Sequence, residues 1–189
     1  YRHGRIGGRM YQNRVNGYSP SSVASEMLFG TFSLQGNLVS HGGFSFLGGT
    51  LTTDGSVNSS ITVDSGNLFW LNGGELDITQ NGNGPNPAAV GYLLVNGDFR
   101  ADTGTIVDNV DTSNNQHQSG KFFVNGNATL AADAIFSSRD LNPNPGVANW
   151  DWGLFQYTGT LTGTFGFNLP PGWTATWLPQ IGILDIHEP

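Results

Sequence analysis

The chain has no cysteine, a single lysine (Lys121) and few charges of any kind, 11% of its 189 residues. The missing thiols exclude disulfides and thiolate metal sites and leave the redox compartment open. No apolar run approaches the ~18 residues of a membrane-spanning helix. Long amphipathic helical patterns are absent too; the best helical candidate, Ser21 to Leu28, with a capping serine and Glu26, is short. Low charge combined with 12% aromatic residues argues against disorder and for a packed interior. The length suits one domain with a core of its own.

Glycine and asparagine take the place of the missing residues, 28 and 19 of them. Both concentrate where the backbone must turn tightly. Five segments repeat one another: Phe32-Ser-Leu-Gln-Gly36, Phe44-Ser-Phe-Leu-Gly48, Phe69-Trp-Leu-Asn-Gly73, Leu93-Leu-Val-Asn-Gly97 and Phe122-Phe-Val-Asn-Gly126. Aligned on Leu34, Phe46, Leu71, Val95 and Val124, they are 12, 25, 24 and 29 residues apart. Self-similarity of this kind predicts units that must stack to bury their apolar faces.

Strands are predicted at 28–34, 37–39, 44–47, 50–53, 60–63, 68–71, 75–79, 92–95, 98–101, 104–107, 121–124 and 128–131. Four more follow at 154–158, 160–167, 173–178 and 181–186. Loops are expected at 80–88, 108–120 and 140–153. The expected fold is all-β, a right-handed parallel β-helix (solenoid) of six to eight coils, right-handed because parallel crossovers are. A β-sandwich of jelly-roll type is the alternative. Its core would hold Leu34, Phe46, Leu51, Ile61, Val63, Leu71, Leu76, Ile78, Val95, Phe99, Ile106, Val124 and Leu130. Residues 1–20 read as an extended basic arm and residues 21–189 as the solenoid domain, with aromatic-rich closing coils.

The closing segments Gly159-Thr-Leu-Thr-Gly-Thr-Phe165, Asn168-Leu-Pro-Pro-Gly-Trp173 and Ile183-Leu-Asp-Ile186 resemble the last coils of secreted bacterial β-helix proteins of the autotransporter-passenger and cell-surface kind. The "LxVNGD" and "FFVNGN" segments ending at Asp98 and Asn127 resemble repeats of the same group. The resemblance spans residues 28–186 and implies a right-handed β-helix exposed outside the cell. It carries over no catalytic residue.

Charge is split along the chain. Arg2, Arg5, Arg9 and Arg14 make the first 14 residues +4, while three basic residues against all 14 acids leave the remainder at −11. Nucleic acid is a poor partner for such a body. A basic arm lying on the acidic body of another subunit accounts for the split.

Other candidates are weighed against plainer roles. Asp108, Asp111 and Asn114 offer oxygen ligands for calcium, but turn formation by Asp and Asn accounts for them more simply. Trp150 and Trp152 offer faces for a sugar ring; Trp173 and Trp177 read as a lid over the end of the core. Asp77 with Asp98 or Asp102 is the one carboxylate pairing that would suit glycoside cleavage, and no basic partner accompanies it. The four histidines have no metal-ligand spacing. Neither a metal nor another cofactor is expected. The chain starts at Tyr1, which suggests a processed secreted product.

These features together predict a non-enzymatic extracellular structural subunit. It would assemble head to tail into a fibre or surface layer through its arm. A glycan-binding adhesin module is the alternative, and a polysaccharide-cleaving enzyme comes third.

Overall fold

The computed structural model describes residues 10–12, 25–34, 37–53, 59–63, 67–78, 92–111, 118–141 and 150–189. These residues are all-β, without a helix among them. The chain opens with β1 (Met10–Gln12) and then runs in successive passes. The first makes β2 (Ser25–Met27), β3 (Thr31–Leu34) and β4 (Asn37–Ser40); the second makes β5 (Phe44–Phe46), β6 (Thr50–Thr53) and β7 (Ser59–Val63). The third makes β8 (Leu68–Asp77) and β9 (Tyr92–Asn96). The fourth makes β10 (Asp98–Val107), a short antiparallel pair of β11 (Val110–Asp111) and β12 (Gln118–Ser119), and β13 (Lys121–Asn125). The fifth makes β14 (Ala128–Leu130), β15 (Ala134–Ser137) and β16 (Trp150–Tyr157). A last pass makes β17 (Leu161–Gly163) and β18 (Gly166–Asn168), and the chain closes with β19 (Thr174–Leu178) and β20 (Ile183–Glu188).

Equivalent strands of successive passes pair in parallel, which produces three stacks. The first reads β1-β2-β5-β8-β10-β14-β17, the second β3-β6-β8-β10-β15-β18 and the third β4-β7-β9-β13-β16-β20-β19. The long strands β8 and β10 serve the first two stacks, bending where their register shifts after Ala101. Antiparallel pairing is confined to β1 on β2, the β11–β12 pair, β20 on β16 and β19 on β20.

Alternation makes the core. In β9 and β13 every second residue is buried (Leu93, Val95; Phe122, Val124), so one face of each strand lies inside. All thirteen expected core residues are buried. Between them runs a ladder of rings: Phe44–Phe69 at 5.5 Å, Phe69–Phe99 at 5.6 Å, Phe99–Phe122 at 5.0 Å and Phe122–Phe155 at 5.2 Å. Tilted and edge-on contacts at these spacings add about 0.5–1.5 kcal/mol each beyond the area they bury.

The turns explain the glycine and asparagine. Between the third and first stacks, Asn125 donates to Asn96 Oδ1 at 3.4 Å and Thr158 donates to Asn125 Oδ1 at 3.3 Å, so equivalent corners bond to one another. Between the first and second stacks the backbones touch. A Cβ on Gly49, whose φ is +84°, would overlap the carbonyl oxygen of Gly30 one pass away. Positive φ alone costs a side chain roughly 1–2 kcal/mol, and backbone cannot swing aside. Gly49→Ala is therefore expected to lower stability by about 2 kcal/mol or more, read from urea midpoints. An unchanged midpoint would show that the corner has slack.

The structure corrects several expectations. Ser25–Met27, within the helical candidate, is strand. The five repeats fall in three stacks: Phe46 is in register with Leu71 in the first, Val95 with Val124 in the third, and Leu34 lies on β3 in the second. Leu71, however, faces Ala101, and Leu34 faces Thr53. The apolar-Gly motif occurs at corners of all three stacks, so aligning all copies merges different stacks. Residues 150–153, expected in a loop, begin β16. Ala134–Ser137 is a strand that the pattern did not reveal.

Candidate functional site

The two ends of the stacks differ from the middle in both pairing and charge. At the first end β1 covers the first stack, and no described strand lies beyond β3 or β4. At the last end β20 and β19 cover the third stack, and no described strand lies beyond β17 or β18. The chain is uncharged from Met27 to Thr53 apart from His41, and again from Trp152 to Leu184. These two runs contain β3 to β6 of the first two passes and most of the closing structure. Among the described residues, five of the seven exposed large apolar side chains also lie there: Leu28, Phe29 and Val39 in the first pass, Phe167 and Ile181 in the closing segment.

The interior of the last end is closed by aromatic rings. Trp177 stands edge-on to Phe155 at 5.9 Å and stacks on Phe165 at 6.2 Å, while its Nε1 donates to Thr164 Oγ1 at 2.9 Å. Trp173 packs against the same core. Both tryptophans lie over the core, as a lid requires.

Along the side of the second stack runs an open polar groove of about 540 Å³, crossing from the third pass to the last. Glu75, Asp77, Asn109, Ser137, Arg139 and Asn168 line it. Behind it Asp108 is fully buried, and its two carboxyl oxygens have no hydrogen-bond partner. Burial, and secondarily the negative charge of Asp77, push the Asp108 carboxyl well above its usual range, with Lys121 opposing. Gly120 lies against this carboxyl so closely that a Cβ there would overlap it.

On the first stack, Asp102 accepts from Trp70 Nε1 at 2.9 Å and from Arg100 Nε at 2.8 Å. The guanidinium lies 6.0 Å from the Trp70 ring centre. The hydrogen bond from Arg100 holds the Asp102 carboxyl below its usual range. Nothing in the spacing of Trp70 and Asp102, 32 residues apart, marked this cluster in advance.

The predicted site residues fall in different places. Arg2, Arg5, Arg9, Arg14 and Asn114 lie outside the described residues, as do the side chain of Trp150 and most of the arm. Trp152 is buried in the core at 3% exposure, so its ring offers no face to a sugar. Alternation along β16 turns it inward. Asp77 and Asp98 sit at opposite ends of the β8–β10 ladder, in register with Val107 and Leu68, and Asp102 lies beside Trp70; the carboxylates suggested for cleavage do not converge. Asp108 and Asp111 are buried rather than solvated, and no group of three or more acids or histidines among the described residues is placed to hold a metal.

No family model, curated protein or solved structure matches this chain.

Proposed function

We propose that the chain is a short parallel β-solenoid serving as a non-enzymatic, extracellular structural subunit that associates head to tail through its ends. The observation that carries this reading is the pairing and charge of the end strands. Sheet edges invite further strands, and monomeric proteins block them with charge, proline or covering loops. Here β17 and β18, beyond which no described strand lies, fall in an uncharged segment, as do β3 and β4 at the opposite end.

The steps at the two ends are also complementary. The first stack is extended by one strand at the first end (β1), and the third is extended by one strand at the last end (β19). When two copies meet head to tail, β1 of one comes against β17 of the next. In the same arrangement β19 comes against β4, with parallel polarity, since β19 and β20 each reverse direction. Such a contact repeats without closing and makes a filament. The arm contributes β1 to this joint, and Arg2, Arg5, Arg9 and Arg14 bring positive charge towards a body of net −11.

Sedimentation velocity and negative-stain electron microscopy test the reading. The full chain is expected to form filaments that lengthen with concentration. Thr162→Lys on β17 and Phe167→Lys on β18, both exposed edge positions, are expected to leave monomers. Thr129→Lys, one strand inward in the same stack, is expected to assemble normally. Monodisperse monomer of the full chain at high concentration would sink the proposal.

A glycan-binding reading has lost Trp152 as a stacking surface and would rest on the polar groove. Among the described residues no aromatic side chain lines that groove, and stacking is what recommended the adhesin.

A further inference from the structure

The open groove on the flank of the second stack carries charge of both signs that the fold does not use. Its floor is one row of outward positions. Asp77, Val107, Ser137 and Asn168 stand level with one another on β8, β10, β15 and β18, while the preceding residues Leu76, Ile106 and Phe136 are buried in the core. Glu75 lies two residues before Asp77, on the same face of β8. Past the ends of β10 and β15 the two segments continue in step. Val110 N donates to the Arg139 carbonyl at 3.0 Å, and Arg139 N donates to Asn109 Oδ1 at 3.1 Å. Arg139 is thereby held at the groove two strands away from Asp77.

Among the described residues, neither the Glu75 carboxylate nor the Arg139 guanidinium forms an ion pair. The two banks are too far apart to pair with each other. At ~4.8 Å between strands and ~3.3 Å per residue, the backbone positions of Asp77 and Arg139 are about 12 Å apart along the sheet.

The lining decides what fits. A simple anion meets Glu75 and Asp77; a metal ion meets Arg139 and finds no group of three acids or histidines among the described residues. A sugar ring finds no aromatic face among the described lining residues. A ligand with an ammonium at one end and a carboxylate at the other satisfies both banks. Guanidinium takes a carboxylate bidentately, and carboxylates accept strong hydrogen bonds from an ammonium. Burial first, and then the charge of Asp77, raise the Asp108 carboxyl behind the groove; an ammonium beside Asp77 would offset that repulsion.

The separation sets the length of the ligand. Two or three extended residues reach ~7–10 Å, which closes the span once the side chains of both banks reach inward. Between the banks, Ser137 and Asn168 offer hydrogen-bonding groups to peptide units, and Leu141, Leu169 and Pro170 form an apolar wall for a side chain.

We infer that this groove binds a short peptide of two or three residues by its two free ends, the amino group at Glu75 and Asp77 and the carboxylate at Arg139. The site lies on the flank of the stacks and does not rest on the head-to-tail reading.

Isothermal titration of the full chain with the tripeptide Ala-Leu-Ala reads the binding. A ligand of this size in an open groove is expected to bind with a Kd of ~0.1–1 mM. N-acetyl-Ala-Leu-Ala and Ala-Leu-Ala amide each lack one charge and leave one bank unpaired, so each is expected to bind roughly tenfold more weakly or worse. Arg139→Gln is expected to weaken the free tripeptide as much as amidation does and to make it indifferent to amidation. Glu75→Gln is expected to shrink the penalty of acetylation and leave that of amidation unchanged. The capped peptides test the unaltered protein, so a variant that folds poorly does not obscure the outcome. Absence of saturable heat with Ala-Leu-Ala overturns the inference. So does equal affinity for the capped peptides, which would mean contact through the apolar wall alone. An amidation penalty that persists in Arg139→Gln places the carboxylate elsewhere and overturns it as well.

Discussion

Phe155→Ala is expected to lower the unfolding free energy by about 3–5 kcal/mol, the range for truncating a fully buried phenylalanine. Phe155 has no exposed surface. It is in parallel register with Phe122 on β13 and in antiparallel register with Leu184 on β20. Its ring touches Phe122 at 5.2 Å, Phe165 at 5.4 Å, Trp177 at 5.9 Å and Phe99 at 6.3 Å. One side chain thus joins the parallel stacks to the antiparallel closing hairpin. A domain of this kind holds roughly 5–15 kcal/mol in total, so a loss of that size removes much of its margin. Urea unfolding provides the measurement, and Phe155→Leu should recover more than half of the deficit because it refills most of the cavity. A cost below about 1 kcal/mol for the alanine would mean that Trp177 collapses into the space and that the lid is loosely held.

Asp108→Asn is expected to change how stability depends on pH. The folded protein holds the Asp108 carboxyl well above its usual range, because burial without a hydrogen-bond donor disfavours the charge and Asp77 adds repulsion. In the unfolded chain it titrates near ~3.9. A group raised on folding supports stability fully below its unfolded pKa, and that support is lost as pH rises through the folded value. The wild-type unfolding midpoint should therefore fall from pH 4 towards pH 8, and the fall should be shallower in Asp108→Asn. Asp185, raised mainly by partial burial, contributes in the same direction. Asp102, lowered by Arg100, contributes the opposite way, its support fading as pH falls through its folded value. Both are common to the two proteins, so the difference between the curves isolates Asp108. Parallel curves would mean that Asp108 is hydrated in solution.

Much of the local structure was legible in the sequence. Thr50–Thr53 was predicted with its observed bounds and β4, β5, β7, β9, β13, β14, β19 and β20 within two residues, whereas the pairs expected at 68–71 and 75–79 and at 98–101 and 104–107 are each one long strand, β8 and β10. Their limits are set by Gly and Asn, which favour turns whatever lies around them. Leu34, Ile61, Val95 and Val124 could be assigned to the core because alternation in a strand is a property of neighbouring residues. Ala134–Ser137 escaped because Ala-Ile-Phe-Ser has no flanking glycine and little contrast between its faces.

What the sequence could not determine is which strand lies beside which. Leu71 and Val95 sit in near-identical apolar-Asn-Gly settings, yet one pairs with Ala101 and the other with Ile61. Partner choice is a contact between segments 19 to 34 residues apart, and equivalent motifs at different corners look alike locally. The same non-local packing decided that Trp152 turns inward, that Asp108 is enclosed beneath Asp77, and that β20 reverses to seal the third stack. Composition and periodicity determined an all-β chain of short strands with an apolar face; only the tertiary pairing decided where its stacks begin and end. It is at those ends, where the described strands stop in uncharged segments, that the proposed function resides.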